Sequence, residues 1–76
     1  MKKLRPVLAM GQYYVIARRD ETNGKMEYLT WDRKTNHSKF FNKDIRKAFR
    51  YMERKEARMN LMAPDEYVYK VWYSVA

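Results

Sequence analysis

Residues 42–62 read NKDIRKAFRYMERKEARMNLM, and how this stretch folds decides where the rest of the chain can pack. At about 100° per residue, Ile45, Ala48, Phe49, Met52 and Met59 fall on one side of a helix. Arg46, Arg50, Arg54 and Arg58 recur every fourth residue on the opposite side, with Lys43 and Lys47 beside them. Asn42 has the side chain of an N-cap, able to accept from an early backbone N–H, and Asp44 suits the positive end of a helix dipole. Pro64 disfavours helical geometry in the residue before it, so the helix is expected to stop by Ala63. The pattern predicts one helix that buries an apolar face and displays a ladder of arginines.

The flanking segments have the residue types of strands. QYYVIARR (12–19) is dense in β-branched and aromatic residues, which suit a pleated surface. KMEYLTW (25–31) reads as its return strand, because Asn23-Gly24 between them tolerates the positive φ of a tight hairpin turn. A two-residue turn there sets Arg18 opposite Leu29 and Ile16 opposite Trp31. It also sets Asp20 opposite Glu27, a like-charge pair that counts mildly against this register and leaves a longer loop open. Val7–Met10 extends the first strand or leads into it. After the polar connection DRKTNHSK (32–39), the Phe40-Phe41 pair sits at the helix entry. Beyond the Pro64-Asp65-Glu66 turn, YVYKVWYSV (67–75) alternates as a third strand.

The expected fold class is therefore α+β: a β-hairpin, a helix and a strand (ββαβ), with a three-stranded antiparallel sheet and one helix packed on one face. The expected core is Tyr14, Ile16, Leu29, Trp31, Ile45, Phe49, Met52, Met59, Val71 and Val75. Tyr13, Tyr28 and Trp72 then lie on the open face beside Arg19 and Lys70. Both faces are apolar, so the opposite assignment of faces stays open.

Seventy-six residues make a single domain over residues 7–76, preceded by a basic, mobile segment at 1–6. A chain this short buries only about 60% of its unfolded surface, so its stability depends on good packing. A hydrophobic content of 46% excludes a fully disordered chain despite 34% charged residues. Cysteine is absent, which removes disulfides and thiolate metal sites. The start MKKLRPVLAM has a basic opening but too short an apolar run for a signal peptide, and no run approaches the roughly 20 residues of a membrane span. A soluble cytoplasmic protein is expected, with no membrane partner.

Little in the chain suits catalysis. His37 lies in a polar loop without an orienting neighbour or a pocket, and a general base needs both. Asn36-His37-Ser38 has the form of a glycosylation sequon but lacks a secretory context. With two glycines there is no phosphate-cradling loop, and neither metal-ligand spacing nor a nucleophile motif occurs. The expectation is a non-enzymatic protein without cofactor, metal or small-molecule substrate. A net charge of +8 points to polyanionic or acidic partners. Arginine's planar fork suits phosphate and carboxylate alike, and a ladder of about 18 Å would follow several phosphates. Lys43, Arg46, Lys47, Arg50, Arg54 and Arg58 are thus the candidate contacts to nucleic acid, to a nucleoprotein complex or to an acidic protein surface. Tyr13, Arg19, Tyr28, Lys70 and Trp72 form a second candidate surface. Aromatic rings beside cations stack unpaired bases, and the same residue types are enriched at protein interfaces, including those of homodimers.

The run YYVIARR…YLTW…KFF…IRKAFRYM…YVYKVWYSV resembles small ββαβ accessory proteins carried by bacteriophages and prophages. The resemblance covers most of the chain and rests on hydrophobic pattern. It implies a phage product that works by binding. One form is a nucleic-acid contact through the basic helix face. The alternative is an inhibitory interaction module, such as an anti-CRISPR or other anti-defence protein, docking on an acidic host protein. A chain this basic cannot imitate DNA, and the resemblance assigns no individual residue a role.

Overall fold

The computed structural model describes residues 10–34 and 40–74. Four antiparallel strands, β1 (Met10–Arg19), β2 (Met26–Leu29), β3 (Phe41–Asn42) and β4 (Glu66–Ser74), stand in the order β3-β2-β1-β4. β1 pairs with β4 along its length, from Met10↔Ser74 to Arg18↔Glu66, but with β2 only over Ala17–Arg19. The α+β class is as expected. The sheet gains a strand because Phe41 and Asn42 pair with Leu29 and Tyr28.

The hairpin loop is two residues longer than a tight Asn-Gly turn, beginning at Glu21 rather than at Asn23. Asp20 and Lys25 close it, with the Asp20 N–H donating to the Lys25 carbonyl at 2.7 Å. Within the loop, Asp20 Oδ1 accepts from the Thr22 N–H and Asn23 Oδ1 from the Lys25 N–H. Gly24 takes the left-handed φ of 72°. The longer loop sets Arg18, not Asp20, opposite Glu27, and those two side chains form an ion pair at 3.0 Å. A slip of two residues preserves which side chains share a face, whereas a slip of one would have exchanged them.

The long helix expected over 42–62 is not formed. Asn42 ends β3 and its Oδ1 accepts from the Asp44 N–H; Asp44 in turn caps a 3-10 turn, Ile45–Lys47. The chain is then extended, and helical geometry resumes only in α1 (Arg54–Met59). Tertiary hydrogen bonds explain the break. β2 leaves β1 after Ala17, so the N–H and C=O of Tyr14, a buried residue, face away from β4 with no strand to meet them. Buried backbone groups must be paired. Tyr51 supplies the partners: Tyr14 N–H donates to Tyr51 O at 2.7 Å and Tyr51 N–H to Tyr14 O at 2.8 Å, while Phe49 N–H reaches Leu29 O at 2.8 Å. A continuous helix would have consumed these groups internally.

Residues 48–54 thus pass along the open side of β1 and cross from one sheet face to the other. On the first face Tyr13, Val15 and Ala48 are buried with Tyr28, Ile45 and Val71 packed against them. On the second, Tyr14, Ile16, Leu29, Tyr51 and Ala57 are buried, joined by Phe41, Phe49, Leu61 and Val68. Of the expected core, Tyr14, Ile16, Leu29 and Phe49 share one cluster, and Ile45 and Val71 belong to the other. Trp31, Met52 and Met59 are exposed, because the helix that was to turn the two methionines inward is absent.

A buried ion pair fastens the second face. Arg33 Nη1 and Nη2 donate to Glu66 Oε1 and Oε2 at 2.6 and 2.9 Å, with side chains only 2% and 3% exposed. Arg33 Nη1 also donates to the Asn60 carbonyl, and Glu66 Oε1 accepts from the Met62 N–H. The pair ties the segment after β2 to the end of α1 and the start of β4. The expectations for residues 1–9, for His37 and its loop, and for Val75 lie outside the described residues.

Candidate functional site: cations seated on aromatic rings

The broken helix scatters the expected arginine ladder. Lys43 lies by the hairpin, its Nζ 3.4 Å from Asp20 Oδ2. Arg46 folds back on Asp44 through Nε and Nη2 at 3.0 and 2.9 Å. These bonds, with the Arg46 N–H, hold the Asp44 carboxyl below its usual pKa and raise that of Arg46. Lys47 is exposed on the 3-10 turn, and Arg58 is exposed in the last turn of α1.

Arg50 and Arg54 part company. In the extended segment Arg50 points to the first face, where its guanidinium carbon lies 4.6 Å from the Tyr13 ring centroid. Arg54 opens α1 on the second face, 5.3 Å from the Tyr14 ring. A cation held over an aromatic face is attracted by the ring quadrupole and stays partly available to a second partner. The six basic residues therefore form no single stripe.

The second candidate surface is divided as well. Tyr13, Tyr28 and Arg19 lie on one face by register, while Lys70 and Trp72 lie on the other. Arg19 Nη1 is engaged with the Gly24 carbonyl at 2.7 Å. Tyr13 is buried rather than open, with Tyr73 at 5.6 Å between ring centroids. Tyr73 in turn lies across Gly11, its cross-strand partner: a Cβ built on Gly11 would meet the Tyr73 ring at 2.1 Å.

What the fold does bring together is Arg54 of the first expected surface with Lys70 and Trp72 of the second. Lys70 sits directly opposite Tyr14 in the β1–β4 ladder, so it shares a face with Arg54. Its Nζ lies 4.8 Å from the centroid of Trp72, whose side chain is 56% exposed. Gln12, opposite Trp72, donates to the Tyr14 hydroxyl at 3.4 Å. Arg54 of α1 and Lys70 and Trp72 of β4 thus form a cationic and aromatic patch on one face of the sheet. Arg54 and Lys70 were singled out by sequence for different surfaces. Their juxtaposition depends on the 48–54 crossing, which helical periodicity concealed. The alternation Phe49-Arg50-Tyr51 was the signal of an extended segment there.

An open groove of about 400 Å³ beside α1 is lined by Lys34, Glu53, Lys55, Glu56, Met59 and Asn60. The Lys34–Glu56 ion pair spans it. Among the described residues no buried side-chain nitrogen or oxygen lacks a hydrogen-bond partner, and no group of acidic, histidine or cysteine side chains is placed to hold a metal ion. No helix among them is long and apolar enough to cross a membrane. Comparison with protein-family models, with curated proteins and with solved structures finds no match to the chain.

Proposed function

We propose that the protein is a non-enzymatic binding module for single-stranded nucleic acid or a nucleoprotein, of the phage accessory type its sequence pattern resembles. The observation that carries this reading is the exposed Trp72 ring with Lys70 and Arg54 on the same face. An exposed ring offers a π-surface on which any base stacks, and the flanking cations meet the backbone phosphates. This replaces the helix stripe as the leading contact surface. Arg50, over Tyr13 on the other face, is secondary to it. An inhibitory module docking on an acidic host protein is the alternative, since the same residues suit carboxylates.

Tryptophan emission tests the reading. The chain has two tryptophans, and Trp31→Phe leaves Trp72 as the reporter. Titration with an oligonucleotide should quench that emission, and Trp72→Ala should weaken binding by about fivefold or more, because a stacked base contributes roughly 1–3 kcal/mol. With Arg54 and Lys70 each neutralising a phosphate, log K should fall with log salt at a slope of about −1.4. Absence of quenching by DNA and RNA at low salt would sink this reading and leave the acidic-protein alternative.

A further inference from the structure

We infer that the outer edge of β4 pairs antiparallel with β4 of a second copy of this chain, joining two sheets into one. The inference starts from backbone polarity. Because Tyr14 gives both its N–H and its C=O to Tyr51, the Tyr14↔Lys70 pair exchanges no hydrogen bonds between β1 and β4. In an antiparallel ladder such pairs alternate with bonded ones. Val68, Lys70, Trp72 and Ser74 therefore turn their N–H and C=O groups outward, while Tyr67, Tyr69, Val71 and Tyr73 face β1. Among the described residues no segment hydrogen-bonds to those outward groups.

Proteins blunt such edges with proline, bulges, short strands or several charges. β4 is nine residues long, EYVYKVWYS, and pairs with β1 without a bulge. Glu66 is buried against Arg33, so Lys70 is the one charge left to guard the edge, and it lies over Trp72. This is an edge shaped for a strand.

Self-pairing about a two-fold axis has few registers, and side-chain chemistry selects among them. Centred on Lys70, the two lysines would stand directly opposite each other, a like-charge pair. Centred on Tyr69, Trp72 would meet Glu66, whose N–H already donates to the Ala63 carbonyl. Centred on Val71, Lys70 faces Trp72 of the partner subunit and Val68 faces Ser74 of the partner subunit, so all the outward groups are used. Tyr69 then faces Tyr73 of the partner subunit, giving complementary pairs on both faces. The same patch on both copies closes the assembly as a dimer. It also sets the two Arg54–Lys70–Trp72 patches on one continuous face, although the pairing itself does not depend on nucleic acid.

Analytical ultracentrifugation of the full chain without nucleic acid tests the pairing. The expected mass is twice 9.4 kDa, and added salt should tighten the dimer, since each copy carries +8 and screening relieves their repulsion. Lys70→Ala, which keeps the outward N–H, should remain dimeric. A synthetic chain N-methylated at the Lys70 amide should be monomeric with an unchanged far-UV spectrum, because that N–H plays no part in pairing with β1. A wild-type monomer at high micromolar concentration overturns the inference. So does a dimer that survives N-methylation, or one that salt dissociates.

Discussion

Replacing Glu66 by glutamine should test the buried ion pair most severely. The change keeps the volume of the side chain and removes its charge. Oε1 now accepts from both Arg33 Nη1 and the Met62 N–H, and Oε2 accepts from Arg33 Nη2. A glutamine can keep the first two bonds through its carbonyl oxygen. Its NH₂ group must then face Nη2, donor against donor. Arg33 loses the Glu66 carboxylate, its bidentate partner, in a site where its side chain is 2% exposed, while its bond to the Asn60 carbonyl at 3.0 Å is among those that stay. Stranding one member of such a pair costs about 3–5 kcal/mol. A domain of this length has about 4–11 kcal/mol in total, at roughly 0.05–0.15 kcal/mol per residue. Urea unfolding followed by far-UV circular dichroism should therefore show a midpoint shifted far toward zero, with the slope unchanged if the variant still unfolds in one step. The double variant Arg33→Met with Glu66→Leu should be more stable than Glu66→Gln, because it leaves no buried charge. A Glu66→Gln midpoint within about 1 kcal/mol of wild type would refute the reasoning, since Arg33 would then be finding water or another anion.

Burial pushes the Glu66 carboxyl up, but the Arg33 hydrogen bonds and the Met62 and Ala63 N–H groups outweigh it and hold its pKa below the ordinary 4.5. Its contribution to stability is complete above that ordinary value and is lost as pH falls through the lower folded-state pKa; acid titration of the wild type should show this loss and Glu66→Gln should not. Tyr51→Ala removes a ring that is 2% exposed together with its hydroxyl contact to the Arg33 N–H. It should cost about 3–5 kcal/mol, and more than Phe49→Ala, by denaturant unfolding; the reverse order would favour the helical phase over the extended one. Gly11→Ala forces the Tyr73 ring off the strand and away from Tyr13. It should lower stability by about 1–3 kcal/mol and alter the near-UV spectrum of the tyrosines.

The strands were readable because strand propensity is a local property of the residues themselves. Tyr13 to Ala17 and Tyr67 to Tyr73 are dense in β-branched and aromatic residues, and the two-residue period of a strand kept face membership even where the hairpin register was off by two. The loop length was harder, since Asn23-Gly24 fits both a tight turn and the end of a longer one. The Asp20–Glu27 conflict counted only mildly against the tight turn, and the longer loop resolves it by pairing Arg18 with Glu27. Residues 42–62 misled because Ile45, Ala48 and Phe49 fit a helix's spacing, yet the demand that broke the helix came from Tyr14 and Leu29, distant in sequence. Local pattern cannot register an unpaired carbonyl on another strand. Arg33 and Glu66 were passed over for a similar reason: each sits in a polar stretch, and only the fold reveals that they meet.

The crossing of residues 48–54 along β1 has a consequence for how the molecule opens. The same short segment anchors Ala48 under one sheet face and leads into α1 over the other, with the Tyr14–Tyr51 bonds between them. A helix lying on one face could lift away and leave the rest intact. Here, α1 cannot leave without pulling on the bonds that close the side of β1, and those bonds cannot part without loosening Ala48 beneath. Fluctuations that expose one face must therefore expose the other. Among the described residues the hairpin tip, Glu21–Gly24, is left to open by itself, whereas amide exchange at Tyr14, Phe49 and Tyr51 takes place on the scale of the whole molecule's unfolding.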